Sequence, residues 1–460
     1  MKPLTKIKGA IKLSAIGDAL GWITEFEKSA ESLKQRYNTE RIENFLPWEK
    51  KVGGRFWGHN EKIESGAYSD DTQLTLSVAR SIKNDGKVDH EYFAEIELPA
   101  WLDYARGAGR TIKTSARKIQ RKSASWHNNF YSIKKKNGRF NYIDSGANGA
   151  AMRILPIALV NIGNHKQMYN DIFANSIVTH GHPRAIIGAL LYGVSIHKII
   201  LYRKDDFDPI QFLTQLGNSI EKDLSLDNVD DKNIKKWANK WSKEKQENFR
   251  VAYDKVVDEV LVHLRKVYSQ LKTEKYKDLL TELGCYNPAT SGSGVATVIA
   301  GIYLALKNIH EPNEAILEAV NSLRADTDSI AAFTGGLVGS LHGHNIIPEK
   351  WKEVQDINYL DKIAETIYDI GFENQAIEKH IDFTKNDFHK NNKEVIKKFK
   401  NLNFESDSQI EYLPLGIGKI KSRNIVDSFK KGKSTVIYKV DFEIGQLCTF
   451  SYVIDDDIIA

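Results

Sequence analysis

Residues 69–79 read SDDTQLTLSVA and residues 324–343 read RADTDSIAAFTGGLVGSLHG. Each stretch places carboxylates and hydroxyls directly before an apolar, helix-like run. In the first, Ser69, Asp70 and Asp71 precede Leu74, Val78 and Ile82, which share one helical face. In the second, Asp326, Asp328 and Ser329 precede Ile330, Ala331, Ala332 and Phe333. One reading of both is a helix N-cap, where Ser and Asp accept orphan backbone N–H groups and complement the positive end of the helix dipole. The other starts from the absence of Cys and His in either cluster. If the fold joins the two segments, they form an all-oxygen site suited to hard divalent cations such as Mg²⁺ or Mn²⁺.

Upstream of the first cluster, residues 7–26 read as a helix with Gly9, Ala10, Ala15, Gly17, Ala19 and Gly21 available for close approach of another backbone or a ligand. Glu25 follows this run, either as a solvated helix end or as a carboxylate at the mouth of a small-residue cleft. Residues 27–65 read as irregular and residues 107–149 as a polar, Gly- and Lys-rich stretch. Helix-like runs are expected at 72–84, 90–106, 150–162, 167–179 and 183–202. Residues 203–285 are rich in Lys, Asp and Glu, with Phe249, Ala252, Val256, Val260 and Leu264 at helical spacing, and read as a charged helical insertion. Apolar helices resume at Gly294. Residues 376–400 are Lys- and Asn-rich, and three β-like runs follow at 409–420, 434–442 and 447–454.

Composition narrows the class. The 460 residues are 41% hydrophobic and 27% charged, as in an ordinary globular protein. A formal net charge of +5 is small for this length and does not by itself argue for nucleic acid. Two cysteines, Cys285 and Cys448, exclude a disulfide framework and a Cys-rich zinc site, and fit a reducing cytoplasm. No run approaches the length of a membrane-spanning helix, and the N-terminal stretch lacks the long apolar core of a signal peptide.

Weaker motifs stand between the clusters. Gly146-Ala147-Asn148-Gly149 precedes a helix-like run and reads either as a plain turn or as a cradle of backbone N–H groups for an anion. Arg106-Gly107-Ala108-Gly109-Arg110 carries the same two readings. Thr179-His180 closes one helix-like run. Arg110, Lys113, Arg117, Lys118, Arg121 and Lys122, followed by Lys134–Lys136, form a basic tract that is either a solvated loop or a phosphate-binding surface.

Taken in order, the motifs GDALGWITEF (17–26), SDDTQLTLSVA (69–79), GANGAAMRILP (146–156), THGHPRAIIGA (179–189) and RADTDSIAAFTGGLVGSLHG (324–343) resemble the ADP-ribosylglycohydrolases, enzymes related to dinitrogenase reductase-activating glycohydrolase. The resemblance covers residues 5–345 apart from the charged insertion. It implies a mainly α, orthogonal helical bundle with two divalent metal ions, Mg²⁺ or Mn²⁺. Carried over residue by residue, it makes Ser69, Asp70, Asp71, Asp326, Asp328 and Ser329 the metal ligands, with Glu25, Asp71 and Asp328 as catalytic carboxylates. Gly107, Gly109, Gly146, Asn148, Gly149, Met152 and His180 are then expected in the ADP-ribose pocket. Two departures stand out: DTDS ends in serine where the family has threonine, and the glycine motif reads GANGAAMR where relatives carry a different residue before GNGAAMR.

The expected organisation is an all-α domain over 1–375, with the insertion at about 203–285, and a C-terminal module over 376–460 that is β-rich from about 405. The expected activity is hydrolysis of the glycosidic bond between ADP-ribose and a modified target, a protein side chain first. A non-catalytic ADP-ribose binder, and the same chemistry on ADP-ribosylated nucleic acid or another nucleotide-sugar, are the alternatives. No membrane partner is expected, and the C-terminal module is assigned either to contact with a protein partner or to covering the core.

Overall fold

The computed structural model describes residues 2–136, 138–373, 375 and 383–458. Its helical body is carried by α1 (Pro3–Thr24), α2 (Asp70–Arg80), α3 (Arg110–Lys118), α4 (His165–Ile177), α5 (Pro183–Ile199), α6 (Lys232–Lys245), α7 (Phe249–Thr273), α8 (Gly294–Lys307), α9 (Thr327–His342) and α10 (Ile357–Gly371). Helices α1 and α9 lie at its centre. Every residue from Gly9 to Thr24 and from Thr327 to Leu341 is buried. A helix that is apolar or small on all sides is a core helix, and these two read that way.

The small residues of α1 do what their pattern predicts, with a backbone as the neighbour. A Cβ at Gly17 would collide with the carbonyl of Ala331, and one at Gly335 with the carbonyl of Leu13. The two helices therefore run antiparallel, backbone against backbone, along their length. At the end that matters, a Cβ on Gly21 would lie 2.7 Å from the Cα of Asp328. The Thr327 hydroxyl donates to the Gly21 carbonyl at 2.9 Å, and the Thr24 hydroxyl donates to the Val320 carbonyl at 2.6 Å. The C-terminus of α1 is thereby pinned beside the N-terminus of α9.

Residues 203–285 are helical, as expected, but they are built into the body. Trp237 and Trp241 of α6 are buried, and their indole N–H groups donate to the Tyr142 hydroxyl at 2.9 Å and the Gly181 carbonyl at 2.7 Å. Helix α7 packs on α5 and α8. Arg184 and Glu259 add a two-pronged ion pair with contacts of 2.8–3.1 Å.

The stretch read as irregular, 27–65, and the polar, Gly- and Lys-rich stretch, 107–149, both hold regular structure. Residues 27–65 contain a helix, Ala30–Tyr37, opened by a capping box between Ser29 and Ser32, and an antiparallel hairpin of β1 (Trp48–Val52) and β2 (His59–Ile63). Residues 107–149 contain α3 and a second hairpin, Ser132–Lys135 with Gly138–Asn141. In α3 only Ile112, Ser115 and Ala116 are buried. So narrow a stripe among basic residues gives little apolar periodicity to read.

Beyond the body, α11 (Lys385–Lys400) packs on a four-stranded antiparallel sheet, β3 (Gln409–Tyr412), β4 (Gly416–Asp427), β5 (Lys433–Phe442) and β6 (Leu447–Asp455), in sequential order. The first of the three expected β runs splits in two, because Pro414 has no amide to donate and Gly416 turns the chain at φ 80°. The proposed boundary at 375/376 adjoins residues 376–382, which lie outside the described residues. Phe399 of α11 stacks on Phe450 with ring centres 5.2 Å apart.

The sheet is docked on the body by polar groups that are buried or half-buried. Arg80 of α2 donates to both Glu97 oxygens at 2.8–2.9 Å and to Gln446 Oε1 at 2.7 Å. Tyr412 donates to Asp103 at 2.7 Å, and the Leu447 amide donates to Asp356 at 3.1 Å.

Candidate active site

The site is built where three helix ends meet. Asp18, two turns before the end of α1, is fully buried. Its carboxylate accepts from the Ser69 amide at 3.1 Å, the Thr72 amide at 3.0 Å and the Thr72 hydroxyl at 2.6 Å. It thus caps α2 from another helix, satisfying orphan N–H groups of the first turn. Asp18 carries no sequence signal of its own for this role, since its partners lie more than fifty residues away. The Ser69 hydroxyl accepts from the Asp71 amide at 3.2 Å, so this serine acts as the N-cap.

The two acidic clusters are in direct contact. The Ser329 hydroxyl donates to Asp71 Oδ2 at 2.7 Å, across 258 residues of sequence. Asn148 Nδ2 donates to Asp326 Oδ2 at 3.2 Å, which ties the glycine-rich motif to the second cluster. Glu25, Asp70, Asp71, Asp326, Asp328 and Ser329 all line one cleft of about 230 Å³. Gly107, Gly109, Asn148, Gly149, Met152 and His180 line it as well. Of the expected site residues, Ser69, fully buried, and Gly146, beside His182, do not line it. The Gly146 carbonyl accepts from the Gly294 amide at 3.0 Å, stitching the glycine motif to the start of α8. Arg110 and Thr111, from the Arg106–Thr111 motif with its phosphate-cradle reading, line it too, as do Gly292 and Ile112, which carry no sequence signal for the pocket.

The glycine motif is held from below by Arg153, which is fully buried. Its guanidinium donates to the Gly149 carbonyl at 2.6 Å, to Asn175 Oδ1 at 2.8 Å and to the Thr179 hydroxyl at 2.9 Å. Thr179 in turn meets His180 Nδ1 at 2.7 Å. Burial, and then the Arg153 charge, push the His180 imidazole well below its usual range, so the ring is neutral. A Cβ at Gly149 would stand 2.9 Å from His180 Cε1, which explains the glycine there.

The cleft carries an excess of buried negative charge. Burial, then the charges of Asp328 and Asp18, raise Asp70 to about 8. Asp71 is raised well above the carboxylate range by burial and then by Asp328. Asp328 is raised well above that range by burial and then by Asp326. Burial raises Asp326 to about 6. Glu25, with about a quarter of its side chain exposed, is raised by burial and then by Asp328, and Lys50 Nζ stands 4.0 Å from its Oε2. Crowded carboxylates with so little neutralising charge, joined by a serine hydroxyl, are donors of the kind that hard divalent cations take. Among the described residues, no three His, Cys, Asp or Glu side chains already converge to hold an ion. Ser329 and Asn148 instead occupy carboxylate oxygens of Asp71 and Asp326.

A helical bundle whose acidic cleft is closed by a glycine turn defines a recognisable class. The family model for ADP-ribosylglycohydrolase matches residues 1–376, and the chain belongs to that family of hydrolases acting on ADP-ribose glycosyl bonds. It is 28% identical over 193 residues to the ADP-ribosyl-[dinitrogen reductase] glycohydrolase of Rhodospirillum rubrum, covering 42% of this chain and 57% of that one. The match therefore spans little more than half of that relative. Against the ADP-ribosylarginine hydrolase Tri1 of Serratia proteamaculans it is 23% identical over 376 residues, covering 79% of each chain. Against human ADP-ribosylhydrolase ARH3 it is 22% identical, covering 76% of this chain and 89% of that one. A solved ADP-ribosylglycohydrolase-related protein complex shares the fold, with a TM-score of 0.51 at 16% identity over 80% of this chain and 99% of that one. Among the described residues, no helix is long and apolar enough to cross a membrane.

Proposed function

We propose that this chain is a metal-dependent hydrolase that releases ADP-ribose from a modified target, with a protein side chain as the first candidate. The observation that carries the reading is the pair of contacts from Ser329 to Asp71 and from Asn148 to Asp326, which unites both acidic clusters and the glycine motif in one cleft. Asp70, Asp71, Asp326, Asp328 and Ser329 would hold two divalent ions, Mg²⁺ or Mn²⁺, with Ser69 behind them. When bound, such ions fix sugar hydroxyls and bring the pKa of a water molecule toward neutrality.

The remaining roles belong to the chain itself. Asn148, Gly149 and Met152 form one wall against which the nucleotide half of the substrate is oriented, and Arg153 keeps that wall rigid. Orientation restricts the ribose to a reactive geometry at its C1 carbon. Glycosidic cleavage passes through an oxocarbenium-like transition state, which the carboxylate-rich cleft favours electrostatically. Glu25, at the cleft mouth and raised well above the usual carboxylate range by burial and then by Asp328, is placed to hold or deliver a proton to the leaving group.

A protein target is favoured over nucleic acid by the fate of the basic tract. Arg110 faces the cleft, whereas Arg121 is spent internally, donating to Asn129 Oδ1 at 3.3 Å and the Phe130 carbonyl at 3.0 Å. With Arg121 engaged within the fold, the support for one continuous phosphate-binding surface along the tract is weaker. The test is a panel of defined ADP-ribosyl conjugates of arginine, serine and nucleobases, incubated with Mg²⁺ or Mn²⁺ or with a chelator and scored by mass spectrometry. Release that survives complete chelation rejects metal dependence. Tight ADP-ribose binding with no release from any conjugate marks a non-catalytic relative.

A further inference from the structure

A second cavity, of about 370 Å³, lies beside the acidic cleft and shares Gly107 with it as a wall. It is enclosed by the β1–β2 hairpin, the loop from Leu102 to Gly107, and strands β5 and β6 of the C-terminal sheet. Its charge is opposite to that of its neighbour. Lys50, Lys51, Arg106 and Lys113 line it against the carboxylates of Glu61 and Asp103.

Three of its nitrogens are buried without a hydrogen-bond partner among the described residues: Lys50 Nζ, His59 Nε2 and Arg106 Nε. His59 and Arg106 are only 4% and 6% exposed. Lys50 Nζ and Arg106 Nε are obligate donors, and His59 Nε2 is one in its Nε2–H tautomer; buried donors left unpaired are costly, so these around one cavity call for an acceptor inside it. Arg106 is held in place for this. Its Nη1 donates to Gln355 Oε1 at 3.1 Å and its Nη2 to Thr449 Oγ1 at 2.6 Å, while Nε stays 3.8 Å from Glu61, beyond hydrogen-bond reach. Lys50 is fixed by aromatic faces, 5.1 Å from the Trp22 ring centre and 4.1 Å from that of Phe26.

We propose that this cavity is a phosphate site completed by the C-terminal sheet. A tetrahedral oxyanion has enough oxygens to meet the lysine, the imidazole and the guanidinium at once, whereas a carboxylate has two. Thr449, which orients Arg106, comes from β6, so the appendage builds part of the site rather than merely covering the core. The cavity adjoins Glu25 through Lys50, on the side where a leaving group departs. That placement rests on the hydrolase reading above; the binding itself does not. The phosphate is either a free ion or one carried on the leaving group of the substrate.

Calorimetric titration of inorganic phosphate into the full chain, with chelator present, tests it. Expected is one phosphate per chain, weakened about tenfold or more by Lys50→Met and by Arg106→Lys, with circular dichroism unchanged, and unaffected by Asp328→Asn. No binding to the wild type, or binding indifferent to both substitutions, overturns the proposal. The source is read from kinetics. Phosphate that competes only with phosphate-bearing conjugates marks the substrate as the carrier, and phosphate that alters release from phosphate-free conjugates marks the free ion; both outcomes retain the site. If no conjugate is cleaved while phosphate still binds as described, the hydrolase reading fails and this one stands.

Discussion

The α1–α9 pair and the C-terminal sheet are joined to the rest of the molecule by opposite means. Helices α1 and α9 meet backbone to backbone, with glycines where any side chain would intrude. The sheet meets the body through Arg80, Arg106, Asp103 and Asp356, all engaged in side-chain hydrogen bonds. Close backbone packing leaves little freedom and sets the carboxylates of two remote segments at fixed separation. Polar docking is directional, and it costs heavily when one partner is lost. The first arrangement suits a catalytic centre, and the second suits an added element that must be held in one orientation beside it.

The largest effect should fall on the cleft. Asp328→Asn is expected to reduce release of ADP-ribose by about 10²–10³-fold or more while the thermal transition stays near that of the wild type. A variant that turns over at the wild-type rate would break the assignment of the α9 end. Next comes the docking of the sheet. Arg80→Met leaves Glu97, whose side chain is fully buried, without its partner, and a loss of about 3–5 kcal/mol in denaturant unfolding is expected. Gly335→Ala should cost about 1–3 kcal/mol, because the added methyl meets a backbone carbonyl that cannot yield; an unchanged midpoint would show that α1 and α9 can separate. Tyr412→Phe removes a donor from half-buried Asp103, for about 1–2 kcal/mol, with Asn392 Nδ2 at 2.6 Å keeping the carboxylate partly satisfied.

The last prediction concerns pH. Asp70 is raised to about 8 and Asp326 to about 6 in the folded chain, against an ordinary carboxylate value of 3.8. The folded state then binds more protons than the unfolded state between these values, so metal-free stability is full at low pH and falls as pH rises through about 4 to 8. The thermal midpoint in chelator should be lower at the upper end of that window than at the lower end. Mg²⁺ or Mn²⁺ should raise it more at the upper end, where the carboxylates are ionised. A midpoint that climbs with pH would contradict the crowding of charge in the cleft.

Much of this was legible in the chain. The acidic ends of α2 and α9 were marked by capping residues before apolar runs, and the glycine stripe of α1 announced a close neighbour. Helix α3 and the β1–β2 hairpin were not legible, because short elements with few buried positions carry almost no periodic signal. Asp18 was passed over because a buried acid is recognisable only once its partners, the amides of Ser69 and Thr72, are in place. Gly146 and Ser69 carry the right residue types, but their places off the cleft lining depend on the path of the loops around them.

Read alone, the chain specifies a helical protein with two hydroxyl- and carboxylate-rich helix starts, a glycine turn in the order of a known family, and a β-rich tail. Those are local properties, set by periodicity, capping and turn chemistry within a few residues. It took the packed fold to bring Ser329 onto Asp71, to let Asp18 cap a helix other than its own, and to set Thr449 against Arg106 at a second cavity. Such contacts join residues hundreds of positions apart. They are selected by how whole helices and sheets pack, which no short window of sequence encodes.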